Sequence, residues 1–414
     1  MGIRVFSTLL LLSVCFMVPA YGQNALSVFL DCDRCDEDYF RREIDYVDYV
    51  RDRTLSELHI LVSLRRTGSG REYTINFIGR EQYSALTDTL LYSSSNTDTD
   101  DERRRGLVKT IEHGLVRYLA RSPGAQYLSI VYEPPSAGIG TEPVVDKWDF
   151  WVFEIGTNGF YSGEQSTSAF RLGGDVSASR VTDEWKLRLR AFGRYRESNF
   201  DVDDSTITSI LRNGELGALA IKSVASHWSV GAFSELRTSS FNNTTIGFNI
   251  SPAIEYSYFP YGESSSRELR FSYFLDLRAN RYDEVTIFEK TSEFIMRHEF
   301  QIELELEQPW GEAEASLEVS NYITDFTESK LDLYNIELGG YIEFRVARGL
   351  SVYTSGSISR VNDQISLPLA EASEEEILLG NVRLPTSFQY GFSLGISYTF
   401  GSIFNNIVNP RFGS

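Results

Sequence analysis

The chain has 414 residues, with 58 acidic against 39 basic side chains and a formal charge of −19. That balance speaks against nucleic acid as a partner, because neutralising phosphates takes clustered Lys and Arg. Aromatic residues make up 13%, including 27 Phe and 23 Tyr, which suits strands and membrane-interface girdles better than a helical enzyme.

Met1 to Arg4 carries one positive charge, and Val5 to Ala20 is almost wholly apolar. Ala20, Tyr21 and Gly22 fit a small-x-small site before cleavage at Gln23. Residues 1–22 therefore read as a signal peptide, shorter than the ~20 apolar residues of a membrane helix. Leu12 to Cys15 faintly resembles a lipoprotein cleavage site, but a Val precedes the Cys and apolar residues follow, so lipidation is not expected. No second apolar run of that length follows. A mean hydropathy of −0.22 still accommodates a β-barrel, whose spans are short and alternating.

Residues 23–145 read as a small periplasmic α/β domain. Ser27–Leu30 is a short strand, and Asp36 caps a helix carrying Phe40, Ile44 and Val47 on one face. Between them Cys32 and Cys35 suit a local disulfide. A redox pair would need the rest of a thioredoxin-like fold, and a zinc site would need two more ligands. His59–Leu64 and Glu72–Ile78 form a hairpin over a turn at Thr67–Gly70. Ser93–Asp101 reads as a polar loop. Thr99 or Asp100 caps a helix lined by Leu107, Ile111, Leu115 and Leu119. Tyr127–Tyr132 is expected as a last strand, before a linker of Pro134, Pro135, Gly138, Gly140 and Pro143. The expected order is β-α-β-β-α-β.

In that order, Leu58 to Leu119 (strand, Gly turn, strand, polar loop, amphipathic helix) resembles the N-terminal domain of TolB and related periplasmic modules. The resemblance implies a module that pairs with an envelope protein, and no chemistry.

From Trp148 onward helical periodicity gives way to alternation. Segments at 148–165, 166–182, 184–197, 212–226, 227–242, 244–260, 267–283, 291–308, 311–326, 330–347, 349–362 and 384–400 each suffice for a tilted span of ~9–11 residues. Tight joins at 182–184, 225–227, 308–311 and 347–349, and a slightly longer one at 260–266, alternate with longer polar ones. The long ones are 201–213, 283–290 and above all 362–383, while 242–245 is a short exception. Short periplasmic and long external connections are the expected asymmetry of an outer-membrane barrel. In the last segment Phe388, Tyr390, Phe392, Leu394, Ile396, Tyr398 and Phe400 share one parity against small or polar residues on the other.

This pattern resembles outer-membrane β-barrel proteins of diderm bacteria, with Phe388–Phe400 as the closing strand and Phe400 in the terminal aromatic place of the assembly signal. Here the chain runs on to Ser414, and a tail with Phe404 and Phe412 could fold back under the barrel. The expected fold is mainly β: an antiparallel transmembrane barrel of about twelve strands at 146–401, after the α/β domain and before a tail at 402–414.

Pointing the apolar parity at lipid leaves Lys186, Arg188, Arg190, Arg194 and Arg196 facing inward on one stave. On the segment from 291 the inward set is Glu299, Glu303, Glu305 and Glu307. The next two segments add Glu312, Glu314, Glu318, Glu337 and Glu343, while 267–283 mixes Arg270, Asp276 and Arg278. Such a lumen could orient polar solutes, be sealed by salt bridges, or simply stay wet. An outer-membrane phospholipase or protease would place His beside Ser or Asp. His59, His113 and His227 lie outside the expected barrel wall, and His298 has lipid-facing parity with no serine motif. Glu371 to Glu376 lacks the spaced ligands of a calcium loop. We therefore expect no enzyme, cofactor or metal. The partners expected are outer-membrane lipid and an envelope protein, the function porin-like passage of small polar solutes or envelope scaffolding. The alternatives are a barrel hydrolase and a pure anchor for the periplasmic domain.

Overall fold

The computed structural model describes residues 25–32, 35–67, 70–131, 146–202, 205–323, 333–370, 372–402, 406 and 411. The signal peptide, the proline-rich linker, Phe404 and Phe412 lie outside them.

The N-terminal unit is a five-stranded sheet in the order β2-β1-β3-β4-β5, formed by β1 (Ser27–Asp31), β2 (Asp48–Tyr49), β3 (Leu58–Arg66), β4 (Gly70–Gly79) and β5 (Thr87–Ser95). Two helices, α1 (Glu37–Glu43) and α2 (Asp100–Leu119), complete it. Asp36 caps α1 by accepting from the Tyr39 backbone N–H. Thr99 and Glu102 form a reciprocal capping box on α2. Helical spacing puts Leu107, Ile111 and Leu115 on one buried stripe, which packs with Ile75 and Phe77 of β4. Each such side chain contributes about 1.5–3 kcal/mol when fully buried. Gly114 lets the helix approach, since a Cβ there would meet the Phe77 ring at 2.0 Å.

Two expectations fail here. The sheet gains β5 before α2, where the sequence read as a polar loop from Ser93. Leu90 and Tyr92 supply its inward side, but Thr, Asp and Ser dilute the apolar signal. The strand expected at Tyr127–Tyr132 does not form over its described residues: Tyr127 ends a 3-10 turn, and Ile130 and Val131 stand exposed. The order is therefore β-α-β-β-β-β-α.

Cys32 and Cys35 are joined by a disulfide between the end of β1 and the cap of α1.

The rest of the chain is a twelve-stranded antiparallel meander in strict sequence order. Its strands are β6 (Trp151–Gly163), β7 (Thr167–Val181), β8 (Trp185–Val202), β9 (Ser205–Ala225), β10 (Trp228–Ser239) and β11 (Thr244–Ser257), followed by β12 (Arg267–Tyr282), β13 (Ser292–Gln308), β14 (Gly311–Ile323), β15 (Tyr334–Ala347), β16 (Leu350–Val361) and β17 (Phe388–Tyr398). The expected long loop at 201–213 is absent, because β8 and β9 extend through it. The 362–387 connection is long and carries a short helix, α3 (Glu374–Leu379).

The sheet curls. One cavity of about 290 Å³ touches side chains from β10 through to β17. Laid flat at ~4.8 Å per strand, those eight strands would span on the order of 34 Å, far beyond such a cavity. Curvature puts the charged parity inside and leaves Leu189, Phe300, Leu338, Leu394 and their neighbours exposed outside. Pairing of the expected closing strand with the first strand of the sheet is not found among the described residues. Among the described residues β17 hydrogen-bonds only β16, β6 pairs only β7, and Phe400 lies past the strand's end.

Candidate functional site

The inner face of the curled sheet gathers the predicted charged residues, in two separate groups. On β8 the even positions Lys186, Arg188, Arg190, Arg194 and Arg196 share one parity. Phe192 sits between Arg190 and Arg194, whose guanidinium carbons lie 5.3 and 5.2 Å from its ring centre. The arginines thus hold one another apart on an aromatic spacer. Among the described residues none of Arg188, Arg190, Arg194 or Arg196 forms an ion pair, and all four are exposed.

The acidic group begins five strands along. Register sets Glu305 of β13 opposite Glu268 on one side and Glu314 on the other. It likewise aligns Glu307, Glu312 and Glu343, and pairs Glu318 with Glu337. Like charges directly opposite destabilise a sheet unless water or a counter-charge intervenes. Arg270 is the counter-charge at one level, 2.9 Å from Glu303 and 3.1 Å from Glu268. Deeper in, Arg297 lies 2.5 Å from Glu299, 2.9 Å from Glu318 and 3.3 Å from Asp276. Asp276 also binds Arg278 at 2.7 Å and accepts from Ser251. Arg297 was missed in sequence. Its parity identifies it, but the alternation is clear only from Glu299 onward.

At the long-loop end, residues 362–370 and 372–387 fold inward against the sheet. Ile365 packs with Ile295 and Tyr322, and Thr286 bridges Pro368. Asn243 donates to the carbonyl of Ser366 at 3.0 Å, and Ser209 bonds Asn381 on the far side. Glu374 to Glu376 form the first turn of α3, capped by Ser373, a role that needs no cation. Among the described residues no group of three His, Cys, Asp or Glu side chains is placed to hold a metal. His298 is on the outward parity, its ring 6.3 Å from that of Tyr273. His113 is exposed on α2, and His227 bonds the Ser257 carbonyl in a short turn.

The short-turn mouth is covered by the N-terminal unit. Helices occupy one face of its sheet, and the other face presents Phe29, Asp31, His59 and Leu61. Arg345, at the base of β15, clasps the Asp31 carboxylate with both terminal nitrogens. His59 Nε2 meets the same carboxylate at 2.8 Å, and both residues are buried. Burial alone would raise the Asp31 pKa, but the bonds from His59 and Arg345 outweigh it and hold the carboxyl below its ordinary value. Beside them Arg53 donates to the Pro309 carbonyl at 2.5 Å, and the Gly349 N–H donates to Asp52 at 2.5 Å. Arg65 donates to Ser264 at 2.8 Å. Asn406 accepts from the Tyr49 N–H at 2.6 Å and donates to Asp48, so the tail returns to β2. Every strand-side partner is in or next to a short turn. No periodicity marks Asp31, His59 or Arg345 as a joint.

No family model matches the chain, and no curated protein matches its sequence. Among solved structures, the NanC porin is 9% identical with a TM-score of 0.28, covering 59% of this chain and 99% of its own. The β domain of the Bordetella autotransporter Brka is 10% identical with a TM-score of 0.25, covering 60% of this chain and 98% of its own. At those scores neither likeness adds to what strand order and register establish.

Proposed function

We propose that this chain is an outer-membrane β-barrel protein whose wet, charge-lined interior passes small polar solutes, with the α/β unit capping its periplasmic mouth. The carrying observation is the set of unpaired, exposed Arg188, Arg190, Arg194 and Arg196 on the inner face. Unpaired charges cost several kcal/mol each in a dry interior, so this side of the lumen holds water. The exposed apolar outer face and the alternation of short and long connections support a membrane position. His298 on the outer parity disfavours the hydrolase alternative. The cap would also bring an envelope partner to the mouth, and so joins the passage and scaffolding readings.

Planar-bilayer recording of the full chain tests this. We expect discrete conductance that grows when Arg345→Glu loosens the cap. Electrically silent membranes with both the parent chain and that variant would overturn passage and leave anchoring of the cap as the function.

A further inference from the structure

The cavity under the inward-folded loop differs from the rest of the lumen. About 290 Å³ in volume, it is bounded by β10 to β17 and by loop residues Asp363 to Ser366 and Arg383. Three of its four arginines are already engaged. Arg237 faces Glu235 at 3.4 Å, Arg278 binds Asp276, and Arg297 binds Glu299 and Glu318. Their charge is spent on the wall.

A second set of lining groups has no such partners. Asn335, Glu337, Ser359, Asp363, Arg383 and Gln389 line the cavity, and among the described residues their side chains make no hydrogen bond or ion pair. The buried Oδ1 of Asn335 is an orphan acceptor, and the buried Nε atoms of Arg278 and Arg297 are orphan donors. Buried polar groups left unmet cost about 1–3 kcal/mol each, so the three orphan atoms and the buried Ser359 call for a partner, while Glu337, Arg383 and Gln389 stand exposed to solvent around them.

The free set defines what that partner is. It mixes donors (Arg383, and the amides of Asn335 and Gln389) with acceptors (Glu337, Asp363 and the amide oxygens) around one volume. Two carboxylates against one guanidinium disfavour an anion, and the remaining amides and hydroxyl carry no charge. Groups that donate and accept in turn match hydroxyls, which do both. Tyr282 and Tyr322 add two rings to the lining. The volume is at the small end of ligand sites, ~300–1,000 Å³, and so fits one sugar-sized ring rather than a chain of them.

We propose that this cavity is a binding site for a small neutral polyhydroxylated solute, a monosaccharide or comparable polyol. It rests on the passage reading only in naming the solute class; the site itself stands without conduction.

The test is calorimetric titration of the full chain in detergent with glucose, gluconate and glycine as probes. We expect saturable glucose binding at one site per chain, with gluconate and glycine at least tenfold weaker. Gln389→Ala and Asn335→Leu should each weaken glucose about tenfold, with heat-modifiable gel mobility confirming that both variants fold. Arg383→Ala, in the loop, supplies a variant that leaves the strands untouched and should weaken glucose similarly. No saturable glucose binding, preference for gluconate, or unchanged affinity in all three variants would each overturn the proposal. Bilayer recording separates the two ideas. Conductance without glucose binding removes the site and keeps passage, and binding without conductance does the reverse.

Discussion

Arg345 and Asp31, 314 positions apart in sequence, meet through both terminal guanidinium nitrogens and both carboxylate oxygens. His59 closes the group from the opposite side, and Phe29 lies under the guanidinium at 5.5 Å. Removing Arg345 leaves the buried Asp31 carboxylate with His59 as its remaining charged partner, a loss below the ~3–5 kcal/mol of a fully uncompensated buried pair. Arg345→Ala is therefore expected to free the α/β unit from the short turns. Hydrogen exchange on the full chain should show protection lost in β1 and at the Gly349 amide, while β8 to β14 stay protected. Unchanged protection in β1 would refute the joint.

The same carboxylate sets a pH dependence. The Asp31 pKa is lower in the folded protein than its ordinary value of 3.8, so its contribution to stability is present above that value. It is lost progressively as pH falls through the folded-state pKa. The cap should therefore be released under acid conditions, at or below pH ~4, and Asp31→Asn should flatten that dependence. Exchange of the β1 amides followed from pH 6 to pH 3, normalised to the intrinsic rate at each pH, checks it.

Charge reversal at Arg188 and Arg190 should change which ions the lumen admits. Two cations become two anions on a stave where neither arginine forms an ion pair, so the double variant to Glu should favour cations several-fold more than the parent chain does. The reversal potential under a salt gradient reads this directly. An unchanged potential would mean that β8 does not face the conducting path.

Gly114 and Phe77 offer a test of the α/β core. Phe77 is fully buried and cannot retreat from a new Cβ at 2.0 Å. Gly114→Ala should destabilise the unit by about 1–3 kcal/mol, the usual cost of overpacking, despite the better helix propensity of Ala. A raised melting temperature would count against the helix position.

Leu394, on the outer face of β17, decides lipid from water. Leu394→Arg should cost about 2–4 kcal/mol if the face meets the bilayer core, visible as a lower folded fraction in heat-modifiable gel shifts from vesicles. A change within about 0.5 kcal/mol is what a solvated surface would give.

The twelve barrel segments were legible because a strand's period of two converts buried and exposed faces into a repeating letter pattern. The expected 267–283 and the observed Arg267–Tyr282 nearly coincide. The pattern weakens where residues are short and polar on both faces, which is why no strand is expected over Thr87–Ser95 and why the expected strands of the β8–β9 hairpin stop at 197 and resume at 212. The two inward charge groups were legible for the same reason, since parity alone sorts Arg188 from Leu189 and Glu305 from Leu304.

What the sequence determined by itself is therefore local: strand existence, facing, capped helices, and which connections are short. What only the tertiary structure decided is long-range. Arg297 joins Asp276, Glu299 and Glu318 because three strands align; the segment around Ile365 turns inward because Ile365 finds Ile295 and Tyr322; and Asp31 finds Arg345 because two separate units meet at the short turns. Periodicity records which way each side chain points from its own backbone. It carries no record of which distant surface that side chain will meet, because a single ion pair or apolar contact imposes no repeat on the chain.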